Sequence, residues 1–331
     1  MDPHAEIEAV RHAALWFEPT QDGLQPLLDL IDDAHVVLIG ESTRGTHEFA
    51  RIRTALTAAL IADKHFNVVA AEADAAAALR IDHWVRIASL ESGPHGPLDD
   101  FGFPEWTWRN GVVATFMQWL RDHNARRAGA DRVGIHGLGR LGDELMFETL
   151  DDVMDRASRQ MGYARAVVWL QTRQAGDARA TDVRGAAKPS FGQLARERYG
   201  SNAYLIGMAT CEGTVTAARA WNGSPDRMEL NPCIEGSYEQ LFHQTGLDRF
   251  IVAMPQARDV LAPPRLERAI GAVYQPHGGD RREYFRASLV HQFDAVVYVD
   301  RTTAIEPFDR SWSENDEHGP AAFLRSPRRG A

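Results

Sequence analysis

Short apolar runs separated by helix-length segments constrain this chain more than any other feature. Val36–Ile39, Val68–Ala71, Val133–His136, Ala166–Leu170, Ala203–Met208, Phe250–Met254, Ala269–Tyr274 and Ala295–Val299 are strand-length and apolar, with little polar alternation. Such runs belong to strands covered on both faces, as in a sheet with helices on either side. The intervening segments carry the helical period. From His47 to Lys64, residues Phe49, Ile52, Leu56 and Leu60 recur at three- and four-residue spacing and form one apolar stripe. Ala76–Ala88, Val112–Asn124, Asp143–Arg156, Phe191–Tyr199, Tyr238–Thr245 and Tyr284–Phe293 read as further helices. The predicted class is α/β, with a mostly parallel or mixed central sheet flanked by helices. Residues 1–309 are expected to form a single domain. Residues 173–189 read as a long loop, and residues 310–331 as a disordered tail with Arg325, Arg328 and Arg329 solvated.

Several function classes are excluded at this level. A net charge of −10 repels nucleic acid. No apolar run approaches the roughly 20 residues of a membrane helix, and the first residues lack a basic stretch followed by an apolar one. A cytoplasmic location without membrane contact is therefore expected. Cys211 and Cys233 stand in no paired motif, so neither a disulfide nor a thiolate metal site is expected.

Chemistry-bearing residues gather at the predicted strand ends, where ligands collect in open α/β sheets. The first strand runs into Glu41 and Arg44, the second into Glu72 and Asp74, the third into His136 and Arg140, and the fourth into Gln171, Arg173 and Gln174. Glu41 and Glu72 follow runs too apolar for a solvated face, so they are either buried and paired or functional. Arg53 lies on the helix after the first strand and either approaches these carboxylates or extends its head into solvent. Gly40, Gly45 and Thr46 suggest a phosphate loop, but the motif's lysine is missing and Thr46 serves equally well as a helix cap.

GESTRGTHEF at 40–49, AAEAD at 70–74, FPEWTWRN at 103–110, VVWLQTRQAGDARAT at 167–181, GSYEQLFHQTG at 236–246, LERAIGAVY at 266–274 and QFDAVVYVD at 292–300 occur in an order that resembles the erythromycin esterase-like family. Some members of that family carry the name succinoglycan biosynthesis protein. The resemblance implies an α/β scaffold with a helical insertion, and a lactone-hydrolysing activity that uses a histidine-activated water. By position it carries Glu41, Arg53 and Glu72 over as active-site residues, while the catalytic histidine falls on Arg44. The family's second histidine-bearing stretch falls on Trp169 to Gln174, so Gln171 and Gln174 replace both its histidines. Gly139 stands where a strand-end aspartate is common. The insertion before Asp143 is reduced to a few residues, which leaves the crevice open or closed by a partner, either a second copy or a full-length paralogue.

Arg44 cannot take a proton from water near neutral pH, because a guanidinium stays protonated. A neighbouring guanidinium also favours the ionised carboxylate, which makes Glu41 a weaker base than Glu72. Gln171 and Gln174 do not titrate and deny a divalent metal its imidazoles, so no metal and no cofactor is expected there. Glu41, Glu72, Arg44 and Arg53 are the catalytic candidates. Trp106, Trp108, Arg109, Gln171, Gln174 and Arg140 are expected to bind an anionic or carbonyl-bearing small molecule. Three functions remain open: a non-hydrolytic acid/base step such as cyclisation, elimination or isomerisation; a residual hydrolysis by glutamate; and ligand binding without turnover.

Overall fold

The computed structural model describes residues 2–87, 98, 104–182, 188–276, 280–308 and 324–325. Thirteen strands are present among them: β1 (Ala14–Leu15), β2 (Val36–Glu41), β3 (Val68–Ala71), β4 (Gly134–Gly137), β5 (Ala166–Gln171), β6 (Ala203–Ala209), β7 (Glu212–Ala217), β8 (Asp226–Leu230), β9 (Arg249–Ala253), β10 (Arg265–Arg268), β11 (Tyr284–Ala287), β12 (Ala295–Val299) and β13 (Arg301–Thr302). Eight of them form the central sheet in the order β1-β9-β12-β6-β2-β5-β3-β4. β3 runs parallel to both β4 and β5, and β12 parallel to β6, while β9 runs antiparallel to β12 and to β1. The sheet is therefore mixed, as the sequence predicts. All six residues of β2 are buried, the burial expected of a strand covered on both faces.

The chain divides into two compact units, with borders inside β2, inside the helix His47–Lys64 and inside β5 as well as after Phe17 and after Ala304. The first comprises Met1–Phe17, Leu38–Phe49 and Leu170–Ala304, and the second Glu18–Val37, Ala50–Trp169 and Ile305–Ala331. Of the predicted stripe, Phe49 falls in the first unit and Ile52, Leu56 and Leu60 in the second, each fully buried, and the hydroxyls of Thr54 and Thr57 donate to the carbonyls of Ala50 and Arg53 in the same helix. A helix buried on nearly every side needs its few hydroxyls satisfied locally, which these bonds do. Helix starts follow capping chemistry. Asp74, Asn110, Ser190 and Ser237 each accept a backbone N–H of the first turn they precede.

Several expectations change. Tyr284–Phe293 is not one helix. Tyr284–Ala287 pairs antiparallel with Arg265–Arg268, and only Leu289–Gln292 makes a helical turn. Ladder pairing to a remote strand overrides the local pattern. The segment Ala269–Tyr274 is not a strand either. It lies between two backbone partners, with Ile270 N donating to Ser42 O at 2.7 Å and Tyr274 N to Ala218 O at 2.9 Å. The hairpin of β7 and β8 is absent from the sequence reading, as is the helix Pro3–Ala13. That hairpin also overturns the expectation for the cysteines: Gly213 pairs with Leu230, so the chain just beyond the ladder brings Cys211 and Cys233 into a disulfide with Cα atoms 4.7 Å apart. Their separation of 22 residues carries no trace of that pairing.

Residues 173–189 open with a helical turn, Thr172–Ala175, and a second turn at Ala178–Ala180, while 183–187 lie outside the described residues. Only residues 138–142 connect β4 to the helix Asp143–Met161. Most of the tail read as disordered, including Arg328 and Arg329, also lies outside the described residues. Arg325 is held in the second unit, where its guanidinium pairs with Asp22 at 3.0 Å and Asp63 at 2.5 Å, and its carbonyl accepts Trp119 Nε1 at 2.7 Å. No helix among the described residues is long and apolar enough to cross a membrane.

Candidate functional site

In the second unit Arg53, Trp108 and Glu72 gather at Trp169. Its indole is buried, and Nε1 donates to Thr57 Oγ1 at 3.0 Å. Over the ring lies Arg53, only 7% exposed, with its guanidinium carbon 4.5 Å from the ring centroid. Such stacking holds a cation where a solvated arginine would not stay. Trp108 and Phe116 pack at centroid distances of 5.8 and 5.5 Å from the same indole. The backbone N–H of Glu72 donates to Trp169 O at 3.3 Å, and Glu72 itself is half-buried. Arg53 and Trp108 are thus held against one indole by their side chains, while Glu72 is tied to the same residue by its backbone alone.

The other candidates of this unit sit differently. Trp106 is fully buried, and its carbonyl accepts Asn110 Nδ2 at 2.8 Å. Arg109 is half-buried, 3.6 Å from Glu105. Arg140 is exposed beyond β4, next to Gly139 at φ +81°. His136 on β4 has its pKa lowered to about 4, chiefly by burial, so it is neutral at neutral pH.

In the first unit, Glu41 ends β2 at 6% exposure and Arg44 is half-buried in the following turn. The glycines around them answer to close backbone approach rather than to a phosphate. A Cβ on Gly40 would lie 2.7 Å from Ala175 Cβ, and one on Gly45 would lie 1.7 Å from the carbonyl oxygen of Thr216. Gln171 and Gln174 come together as a capping box on the turn Thr172–Ala175, with Gln174 Oε1 accepting Gln171 N–H at 3.2 Å.

Sequence reasoning missed a pair of buried acids in this same unit. Glu239 and Glu267 line a cavity of about 10 Å³, room for about one water, together with Ser42, Thr172, Tyr238 and Arg268. Thr172 Oγ1 donates to Glu267 Oε1 at 2.9 Å, and Arg268 N–H donates to Glu239 Oε1 at 2.8 Å. Burial pushes the Glu267 carboxyl up to about 8, and the neighbouring Glu239 adds to the shift. Burial likewise raises Glu239. The available signal was a glutamate inside the otherwise strand-like LERAIG.

This pair predicts a pH dependence of stability. Between its ordinary value of 4.5 and about 8, Glu267 keeps its proton in the folded protein while the unfolded chain has released it. The folded state then binds more protons, so this contribution to stability falls as pH rises through the window and is gone above it. Glu267→Gln, which cannot ionise, is expected to lose less Tm than wild type between pH 5 and pH 8. Parallel Tm profiles for the two proteins would refute the assignment.

The sequence profile of the erythromycin esterase family matches residues 61–140 and 138–302. Among solved structures, a succinoglycan biosynthesis protein superposes with a TM-score of 0.73 at 16% identity, covering 92% of this chain and 98% of its own. A protein from Bacillus cereus gives 0.73 at 15% identity, with 93% and 99% covered. A variant of the erythromycin esterase EreC in its open conformation gives 0.53 at 13% identity, with 86% and 94% covered. At these identities the structural likeness establishes the fold.

Proposed function

Because this chain belongs to the erythromycin esterase family, we propose that it is an enzyme acting on a carbonyl-bearing or anionic small molecule by acid/base chemistry without net hydrolysis. The observation that carries this reading is the cation held at Trp169. Arg53 is buried on that indole, and the backbone of Glu72 is hydrogen-bonded to the same residue. A guanidinium fixed in a dry site stabilises developing negative charge on a carbonyl oxygen without reorganising. Glu72 is the proposed acid or base of the step. The family resemblance also carries Glu41 and Arg44 of the first unit as catalytic candidates, of which Arg44 cannot activate water. Gln171 and Gln174 cap one another and offer no imidazole.

Purified wild type and Glu72→Gln, incubated with metabolite extract and followed by mass spectrometry, test this reading. A substrate is expected to be converted with no change of mass or with loss of water. Glu72→Gln is expected to lower the rate by about 100-fold or more. Gain of one water in the product would make the protein a hydrolase. Full turnover in both Glu72→Gln and Glu41→Gln would refute the proposed roles.

A further inference from the structure

Four metal-ligating side chains of the first unit meet around the disulfide. Cys211 Sγ, a ring nitrogen of His243 and a carboxylate oxygen of Asp300 all lie within 4.8 Å of one another, and Cys233 is bonded to Cys211. We propose that in the reduced protein Cys211, Cys233, His243 and Asp300 bind a tetrahedral divalent cation of the zinc class, and that the disulfide is the metal-free, oxidised form of the same site. The inference does not depend on the catalytic reading above.

The donor set fits that cation. Two thiolates, one imidazole and one carboxylate are four ligands of the softness zinc prefers, and four protein ligands make a closed, structural site. Their backbones are already pinned. Cys211 N–H donates to Asp300 O at 3.2 Å, and Asp300 N–H to Asp248 O at 2.8 Å. Arg268 Nη1 donates to Cys211 O at 2.8 Å and Nη2 to Asn231 O at 2.6 Å, which fixes the chain beside both cysteines. His243 ends the helix Tyr238–His243, and Asp300 directly follows β12.

The polar shell is in place as well. Tyr298 donates its hydroxyl to Asp300 Oδ1 at 2.5 Å, which orients the carboxylate as outer partners orient metal ligands. His243 Nδ1 lies 2.7 Å from the same oxygen. A tetrahedral ion bound at about 2.0 Å to nitrogen and oxygen needs these two atoms about 3.3 Å apart. Replacing the shared proton by the ion therefore takes a shift of well under an ångström. The His243 side chain is 46% exposed, which leaves a route for the ion.

The chemistry balances with a dithiol as reductant. It passes two electrons and two protons to the Cys211–Cys233 bond and itself becomes a disulfide, leaving two protein thiols. Binding the cation then releases both thiol protons, while the imidazole supplies a lone pair and the carboxylate its existing charge. In the cytoplasmic location expected from the sequence, where thiols are kept reduced, the metal form would prevail.

Cobalt(II) tests this with the full-length protein. After reduction by a phosphine, wild type is expected to take up one equivalent of cobalt and to show a thiolate-to-cobalt charge-transfer band that zinc abolishes. The oxidised protein is expected to bind none, a control that needs no mutation. His243→Ala and Asp300→Asn, checked for native circular dichroism, are expected to weaken uptake at least tenfold. Absence of the band in reduced wild type would overturn the proposal. Equal binding by oxidised and reduced protein would do the same, as would undiminished binding by both variants.

Discussion

Gly45→Ala is expected to cost at least about 3 kcal/mol and to leave little folded protein, the largest effect predicted for a single added methyl group. The Cβ would sit 1.7 Å from the Thr216 carbonyl oxygen, 2.6 Å from its carbon and 2.9 Å from its nitrogen. All three atoms are backbone, so no side chain can rotate away. The same backbone is bonded at this point, with Thr216 N–H donating to Gly45 O at 2.9 Å. Relief therefore requires β7 to move by more than an ångström, against a core of Val215, Ala217, Met228, Leu230, Ile270 and Tyr274. Gly139→Ala is the contrast: it has φ +81° and nothing within 4 Å of an added Cβ, so only the backbone preference of about 1 kcal/mol is lost. Urea midpoints of the two variants distinguish steric from conformational demand. If Gly45→Ala unfolds within about 1 kcal/mol of wild type, the close approach of the turn to β7 is wrong.

Much of this architecture is legible because its signals are local. Val68–Ala71, Ala295–Val299 and Phe191–Tyr199 agree with the structure at both ends, since an uninterrupted apolar run or a Ser190 cap and a terminal Gly200 need no remote partner. The failures lie where a remote partner decides. Tyr284–Ala287 becomes a strand because Arg265–Arg268 offers it a ladder, and Cys211 finds Cys233 because the β7–β8 hairpin returns the chain. The candidate site divides along the same line. Burial of Glu41 follows from the apolar run before it, whereas spacing leaves Arg53 open between burial and solvent, and only its stack on Trp169 decides it. Gln171 and Gln174, by contrast, show the three-residue spacing of a capping box as clearly as that of two replaced ligands. Glu267 passed unnoticed because a single acid in a strand pattern normally points outward, and only the fold shows it facing Glu239 from within.

The second large effect is expected at Arg268. Replacing it by methionine of similar length is predicted to destabilise the protein by about 3–5 kcal/mol. Its side chain is 1% exposed, and it joins three stretches of chain by donating to the carbonyls of Thr210, Cys211 and Asn231. Methionine would fill much of the volume but leave those acceptors buried and unmade, at a penalty of about 1–3 kcal/mol each before relaxation. It would also remove the cation that lowers the raised pKa of Glu239, so this carboxyl would hold its proton more tightly. Lysine is expected to recover little, because one ammonium cannot reproduce a planar fork directed at separate carbonyls. Adding Glu239→Gln to Arg268→Met should return part of the loss, since the uncompensated carboxyl is gone. Urea unfolding of the single and double variants measures that coupling. A single variant within about 1 kcal/mol of wild type, or strictly additive losses in the double, would show that Arg268 and Glu239 do not act as one buried unit.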